Sequence, residues 1–230
     1  MNRYIQGNIH DVIRTLDDNS IDFIYTDPPF GTTKAEWDQG LNWEELFPEM
    51  WRVLKPTGII CLYASMPFTY ELLQYEKPKY HYSWKKNNTT GFFQSKYQPL
   101  RQMEEIFIYY KRKGTYNPQM EGDIFYPCRK VQIGSQKHTY WGERKEKTND
   151  VKGNKKEGHT GKYPTTFKEW SIRRDDTGIT RTDEQIDYFI KTYSNEQDTI
   201  LDMTCHCRYV GDRCKILKRH YIGIDLDIVF

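Results

Sequence analysis

An α/β sheet covered by helices on both faces is the fold this sequence predicts, and three observations predict it. Short runs of β-forming apolar residues alternate with helical periods along the chain. Three of those runs end on an aspartate, Asp27, Asp202 and Asp225, at the strand ends where open α/β sheets collect their ligands. The 230 residues are enough for one domain with a sizeable core, or one domain carrying a large insertion.

In chain order, residues 3–6 read as a short strand, Gly7-Asn8 as a turn, and His10 to Leu16 as a helix with Val12, Ile13 and Leu16 on one face. Ile21 to Thr26 is a strand that must stop at Asp27, because Pro28-Pro29 cannot continue a central strand. Trp43 to Leu54 has helical spacing and is halted by Lys55-Pro56-Thr57-Gly58. Ile59–Ala64 reads as a buried strand, Phe68–Gln74 as a helix, and His81–Lys86 and Glu105–Tyr110 as strands. From Lys111 to about Thr177 periodicity is weak and Gly, Lys, Asn, Thr and Pro dominate. A structureless stretch of that length is improbable in a compact domain, so it reads as an inserted region with small strands near Ile124–Tyr126 and Val131–Ile133. Asp183–Tyr193 is an amphipathic helix, Thr199–Leu201 a strand ending at Asp202, Asp212–Leu217 a short helix, and Tyr221–Ile224 a strand ending at Asp225. The expected organisation is a catalytic domain of residues 1–110 and 178–230 with 111–177 inserted.

Composition narrows the function. Apolar residues make up 37% and charged residues 29%, with mean hydropathy −0.87, which predicts long polar surface segments. The 18 Tyr, 11 Phe and 6 Trp argue against a disordered chain. The longest apolar run, Ile59 to Ala64, is too short for a bilayer, and MNRYIQGNIHD lacks a signal-peptide core. Five Cys is an odd count without scaffold density, which predicts reduced thiols inside a cell. Secretion, membrane insertion and a disulfide mini-protein are therefore set aside. The net charge of +2 conceals an asymmetry: Lys111 to Trp170 holds 14 Lys and Arg against 7 Asp and Glu, while the rest of the chain is mildly acidic. Such a block fits either a polyanion partner or a solvated basic loop.

Two strand ends carry chemistry. Asp202 to Asp225 spans one strand–loop–helix–strand unit, a spacing that suits an adenosine site with the later acid on the ribose. Its loop, Met203 to Gly211, has one glycine where close backbone approach to a ligand usually needs two or three. Asp27-Pro28-Pro29-Phe30 offers a fixed carboxylate, a carbonyl freed from sheet pairing and an aromatic face. That set can grip a flat amino-substituted ring; a proline-rich turn capping a strand is the plainer alternative. Cys205, His206, Cys207, Cys214 and His220 invite a zinc reading, but their spacing fits no Cys-x-x-Cys knuckle, so no metal is expected.

The sequence resembles the amino-group DNA methyltransferases of the beta, circularly permuted, class, and within them the adenine-N6 group common in phages and prophages. The likeness runs nearly end to end. It is carried by Asp27-Pro28-Pro29-Phe30-Gly31-Thr32-Thr33 with Trp37-Asp38, by Leu54-Lys55-Pro56-Thr57-Gly58, and by Ser65-Met66-Pro67-Phe68-Thr69. It continues through Trp84-Lys85-Lys86-Asn87, Pro99-Leu100, Glu104, Tyr116-Asn117-Pro118-Gln119 and Tyr193-Ser194-Asn195-Glu196 to Asp202 and Arg219 to Asp225. The resemblance implies a Rossmann-like, S-adenosylmethionine-dependent sheet and methyl transfer to adenine N6 in double-stranded DNA, with the target base flipped out. It implies that Asp27 and the Pro28 carbonyl accept the two amino N–H bonds, that Pro29 fixes the turn, and that Phe30 stacks on the base.

For the cofactor, the resemblance places Asp202, Thr204, Cys205 and His206 by the methionine part, Arg181 by its carboxylate, Asp225 at the ribose and Asn8 at the adenine. The inserted block supplies phosphate contacts through Lys111, Arg112, Lys113, Arg129, Lys130 and Lys137. Lys85 and Lys86 line the path to the pocket, and Tyr126, Tyr140, Trp141 and Tyr163 either stack on bases or form a mini-core. A homodimer follows by analogy alone, as does an intracellular setting on nucleoid or viral DNA. Three departures all touch the cofactor side: the loop after Asp202 lacks the family's glycines, Arg181-Thr182 stands for Lys-Pro, and Gly7-Asn8 for Gly-Asp. A non-catalytic nucleic-acid-binding homologue and a cytosine-N4 enzyme are the alternatives.

Overall fold

The computed structural model describes residues 2–36, 38–126, 159–175 and 178–228. The first half runs β1 (Asn2–Gln6), α1 (Ile9–Val12, continued by a 3-10 turn over Ile13–Thr15), β2 (Ile21–Thr26), α2 (Trp43–Val53), β3 (Leu54–Ala64), α3 (Phe68–Tyr75), β4 (Tyr80–Thr90) and β5 (Arg101–Tyr109). The second half runs β6 (Glu121–Tyr126), β7 (His159–Lys162), β8 (Phe167–Trp170), β9 (Ile172–Asp175), β10 (Gly178–Arg181), α4 (Asp183–Tyr193), β11 (Thr199–Asp202), α5 (Tyr209–Ile216) and β12 (His220–Asp225).

Eight strands form the main sheet in the order β1-β12-β11-β2-β3-β5-β4-β8. The first five are parallel, so β1, β12, β11, β2 and β3 all point their carboxyl ends to one edge. The register sets Leu201 beside Ile24 and Ile24 beside Ile60, so apolar side chains line up in rows across the sheet. One face buries Ile24, Ile60, Leu62, Leu201 and Ile224 against α1, α2 and α3; Trp43, Leu46, Phe47 and Met50 of α2 are the largest contributors. The other buries Phe23, Tyr25, Cys61, Tyr63, Ile106, Ile108 and Tyr221 against α4 and α5. Strands buried on both faces read as continuous apolar runs, which is why β2 and β3 were plain in the sequence.

The described residues between 111 and 177 hold more strands than the composition predicted. Two compact units exist: Met1–Gln119 with Thr165–Phe230, and Met120–Pro164. The smaller contains the antiparallel pair β6–β7, where the Tyr126 ring stacks on His159. The expected strand near Val131–Ile133 lies outside the described residues. The expected boundaries at 111 and 177 do not coincide with these units. Residues 165–170 belong to the main sheet, where β8 pairs parallel with β4, and β9–β10 is a hairpin leading into α4. β8 escaped notice because Lys168 takes an inward place in its alternation. Its ammonium sits 4.7 Å from the Tyr188 ring centroid, so a charge occupies a position where the pattern calls for an apolar residue. Helix α5 also begins earlier than predicted, at Tyr209, because Gly211 reads as a breaker. In the structure it is a close-packing position, where an added Cβ would lie 2.2 Å from the Tyr4 hydroxyl and 2.9 Å from the Tyr221 ring.

Candidate active site

The carboxyl edge of the parallel strands gathers Asp27, Asp202 and Asp225. β2 ends at Thr26, and the two prolines turn the chain out of the sheet. Pro28 is buried, while Pro29 and Phe30 are half-buried. The turn is pinned from behind by Asp38. One of its oxygens accepts from the Gly31 N–H at 2.8 Å; the other accepts from Thr32 at 3.0 Å and Thr33 at 2.6 Å. Burial works against this charge, yet the Thr33 and backbone hydrogen bonds hold the Asp38 carboxyl below its ordinary value. Gly31 has φ +65°, a conformation that favours glycine. Phe30 lies against Phe68 with ring centroids 5.2 Å apart and planes at 19°, so one face of the ring is already covered.

Asp27 is about one-third exposed and its Oδ1 accepts from Arg181 Nη2 at 2.7 Å. The same Nη2 lies 3.1 Å from Glu104 Oε2, and Glu104 Oε1 accepts from Lys86 Nζ at 2.8 Å. The Arg181 guanidinium also packs on Tyr63 and Trp84, 4.5 Å from each ring centroid. Burial raises the Asp27 carboxyl above its ordinary value, opposed chiefly by Arg181. Burial pushes Glu104 the same way, but Arg181 and Lys86 outweigh it and hold Glu104 below its ordinary value.

The loop after β11 meets this turn through the Thr26 and Thr204 hydroxyls, 3.2 Å apart. Asp202 is buried; it accepts from the Thr204 N–H at 3.3 Å and from the Tyr221 hydroxyl at 3.2 Å, and burial pushes its carboxyl up to about 7. Asp225 accepts from the His206 N–H at 2.8 Å and the Asp227 N–H at 3.1 Å. Asn8 neighbours Asp225 through the Gly7 N–H, which donates to the Asp225 carbonyl at 2.8 Å; its own side chain caps α1 by accepting from the His10 N–H at 2.9 Å. Cys205, Cys207 and Cys214 are buried cysteines in no disulfide, and burial pushes the thiols of Cys205 and Cys214 above their ordinary value. Among the described residues no three His, Cys, Asp or Glu side chains are grouped to hold a metal ion.

Two of the loop's departures have a backbone explanation. His206 has φ +42°, so a histidine makes the left-handed turn where a glycine would serve without strain. Arg208 has φ −78° and is exposed; at that position no glycine is required.

Among the described residues, those expected to meet nucleic acid are scattered. Lys86 is buried and paired with Glu104, which removes it from a phosphate-contacting role. Lys85 is half-exposed and pairs with Glu169 at 3.1 Å. Lys111, Arg112 and Lys113 follow β5, which runs antiparallel to β3 and carries the chain away from Asp27. Lys111 and Arg112 share a cavity of about 200 Å³ with Asn19 and Lys55 at the amino ends of β2 and β3. Arg129, Lys130 and Lys137 lie outside the described residues, as do Tyr140 and Trp141. Tyr163 packs edge-on against His159 at 4.8 Å within the smaller unit.

Arg181, expected beside the cofactor's carboxylate, makes its ion pair with Asp27. Glu104 and Trp84 were marked by the family resemblance without a role, and Tyr63 was not singled out. The connection from β4 to β5 exposes Phe93 and Tyr97 almost completely and Phe92 in large part, beyond the strand ends that carry Lys86 and Glu104. Aromatics on a loop give no periodic signal, so their exposure is visible only in three dimensions.

The family model for DNA methylases of the N6/N4 type matches residues 21–230. The type II methyltransferase M.HpaI of Haemophilus parainfluenzae is 27% identical over 245 residues, covering 98% of this chain and 70% of its own length. Among solved structures, the M1.HpyAVI–SAM complex superposes with a TM-score of 0.57 at 18% identity, covering 98% of this chain and 92% of that one. The cytosine-N4-specific PvuII DNA methyltransferase gives a TM-score of 0.66 at 11% identity, covering 98% of this chain and 82% of that one.

Proposed function

The chain belongs to the N6/N4 DNA methylase family, and on that premise we propose that it transfers a methyl group from S-adenosylmethionine to adenine N6 in double-stranded DNA. The observation that carries this reading is the meeting of the Asp27 turn with the 202–206 loop, through Thr26 and Thr204, at one sheet edge. The amino nucleophile and the methyl donor must lie within reacting distance of each other, and the contact between the two loops supports this reading.

The residues present fit the cofactor. Asp225 uses its oxygens for two backbone N–H groups and, as a carboxylate, has lone pairs left for ribose hydroxyls. The left-handed turn at His206 supplies the backbone path that the missing glycine would have made. Gly211 and Gly223 allow the close packing of α5 and β12 under that loop: Cβ atoms there would strike Tyr4 and Tyr221. Asp202, Thr204, Cys205, His206, Asp225 and Asn8 are the residues that would hold it. When bound, S-adenosylmethionine supplies an electrophilic methyl on a sulfonium. A related solved structure, M1.HpyAVI, is described in complex with SAM.

The chain's own residues do the rest. Adenine N6 is a poor nucleophile because its lone pair is delocalised into the ring. Asp27 Oδ2 and the Pro28 carbonyl accept its N–H bonds and draw the nitrogen toward tetrahedral geometry. Positioning and electrostatics carry the acceleration without a covalent enzyme intermediate. The target base leaves the duplex stack at a cost of a few kcal/mol. The face of Phe30 turned away from Phe68 stacks on it and returns about 1–3 kcal/mol. The inserted basic segment contributes phosphate contacts, so binding weakens steeply with salt.

Cytosine-N4 transfer is the second reading, favoured by the likeness to the PvuII enzyme; the resemblance of Asp27-Pro28-Pro29-Phe30 to the adenine group weighs the other way. Incubation with labelled S-adenosylmethionine and mixed-sequence DNA, followed by digestion to nucleosides, tests both. Label in N6-methyladenine is the expected result; label in N4-methylcytosine selects the second reading, and no label in either base defeats both. Asp27→Ala should abolish labelling while DNA binding persists.

A further inference from the structure

Four charged side chains from four strands meet behind the Asp27 turn and alternate in sign: Lys86 of β4, Glu104 of β5, Arg181 of β10 and Asp27 at the end of β2. Their contacts run 2.8 Å from Lys86 to Glu104, 3.1 Å from Glu104 to Arg181, and 2.7 Å from Arg181 to Asp27. Arg181 is 13% exposed, Glu104 10% and Lys86 8%, while Asp27 is 34% exposed. Charge is buried at one end of the row and reaches solvent at the other, where Asp27 stands. Tyr63 and Trp84 fix the plane of the guanidinium from the sheet side.

We propose that Arg181 is a positioning residue for Asp27: it occupies Oδ1, is itself locked by Glu104, Tyr63 and Trp84, and so leaves Oδ2 aimed out of the protein as the acceptor for the substrate amino group. This rests on the reading of Asp27 given above. A carboxylate free to rotate would divide its two oxygens among several orientations; one held at Oδ1 by a planar donor has one orientation left. The arrangement also keeps the acceptor charged. Besides Arg181, the groups facing Asp27 are Glu104, Lys86, Tyr25, Cys61 and Asp202. Arg181 is the largest of the influences opposing the burial of Asp27. A buried carboxyl without that partner protonates more readily, and a protonated oxygen donates where the reaction needs an acceptor.

The described polar contacts of Arg181 lie on the Asp27 side of the edge. Its guanidinium touches Asp27, Glu104 and two rings, and no contact ties it to Asp202, Thr204 or Asp225 among those described.

The test compares wild type, Arg181→Gln and Arg181→Lys, each first shown to be folded by thermal melting. Carboxyl 13C resonances are titrated by NMR, with Asp27→Asn identifying the Asp27 signal, and S-adenosylmethionine binding is measured by calorimetry. In Arg181→Gln the Asp27 midpoint rises by about one pH unit or more, the acid limb of kcat/KM moves with it, and cofactor affinity stays within about threefold. Arg181→Lys restores the midpoint but leaves kcat about tenfold down, because a point charge does not fix the plane. Should Arg181→Gln not fold, the Lys variant decides alone. A cofactor Kd raised about tenfold with kcat unchanged at saturation overturns the proposal in favour of a cofactor contact. An unmoved Asp27 midpoint in Arg181→Gln overturns it in favour of a purely structural ion pair. Wild-type protein that methylates no DNA, with the NMR shift still present, refutes the assigned reaction and leaves the Asp27–Arg181 coupling standing.

Discussion

The Asp38 carboxylate accepts the Gly31 N–H at 2.8 Å and so ties the end of the Asp27 turn to a residue seven positions further along. With the Thr32 and Thr33 amides it forms a three-donor clasp. Asp38→Ala leaves those amides without their acceptor and is expected to cost about 3 kcal/mol. Methyl transfer should fall by about 100-fold or more, since a small displacement of Asp27 and Phe30 is enough for that. Urea melts and single-turnover labelling check the two effects. The carboxyl is held below its ordinary value, so its stabilising contribution is present above pH 3.8 and is lost as pH falls below it.

Asp202 has the opposite sign. Its carboxyl is raised from 3.8 to about 7, mainly by burial. The folded state therefore holds this proton where the unfolded chain has released it, and stability contributed by the site declines as pH rises from about 4 to about 7. Asp202→Asn should remove that decline and leave the protein more stable at pH 8 by an amount of order 4 kcal/mol. Thermal melts at pH 5 and pH 8 give the answer: parallel pH dependence in wild type and variant would falsify the assignment.

His206 sits at φ +42°, where a side chain costs roughly 1–2 kcal/mol. His206→Gly should raise the melting temperature and hold S-adenosylmethionine at least as tightly as wild type. His206→Val should lower both stability and affinity, β-branching being the least tolerated there. Calorimetry and melting on the pair test this, and a glycine variant that binds less well than wild type would show that the imidazole itself contacts the cofactor.

Tyr193 joins two other phenols, its hydroxyl 2.9 Å from that of Tyr80 and 2.7 Å from that of Tyr82. Tyr193→Phe removes the hydrogen bonds it makes with the Tyr80 and Tyr82 hydroxyls and is expected to cost about 1–3 kcal/mol without altering kcat, since the cluster lies between β4 and α4 and away from Asp27. Equal activity per folded molecule in a destabilised variant is the result to look for.

The sequence made the parallel core legible because β2, β3, β11 and β12 are apolar on both faces and end on turn-forming residues. It also placed Asp27, Asp202 and Asp225 on a common edge, since parallel strands share the direction in which they end. It did not disclose β8, whose inward Lys168 breaks the apolar alternation, nor β9 and β10, which are short and polar. Motif order fixes Arg181 along the chain but says nothing of its contacts with Asp27, Glu104, Tyr63 and Trp84, which only the folded sheet brings together. Lys86 was taken for a surface cation for a similar reason: only the facing Glu104, eighteen positions away and on another strand, makes its burial affordable. Lys111, Arg112 and Lys113 were grouped by charge, and it is the antiparallel course of β5 that takes them to the other edge.

β11 and β12 lie between β1 and β2, although they are made long after both. A nascent polypeptide that has not yet reached residue 199 has no material for the middle of its own sheet. The inner edges of β1 and β2 then stay open to chaperones, proteases or one another. Such a fragment would lack the Thr204 loop opposite Asp27 altogether, so a stalled ribosome releases no half-competent modifier of DNA. Methylating capacity arrives in one step, when the last strands slot into the gap that was waiting for them.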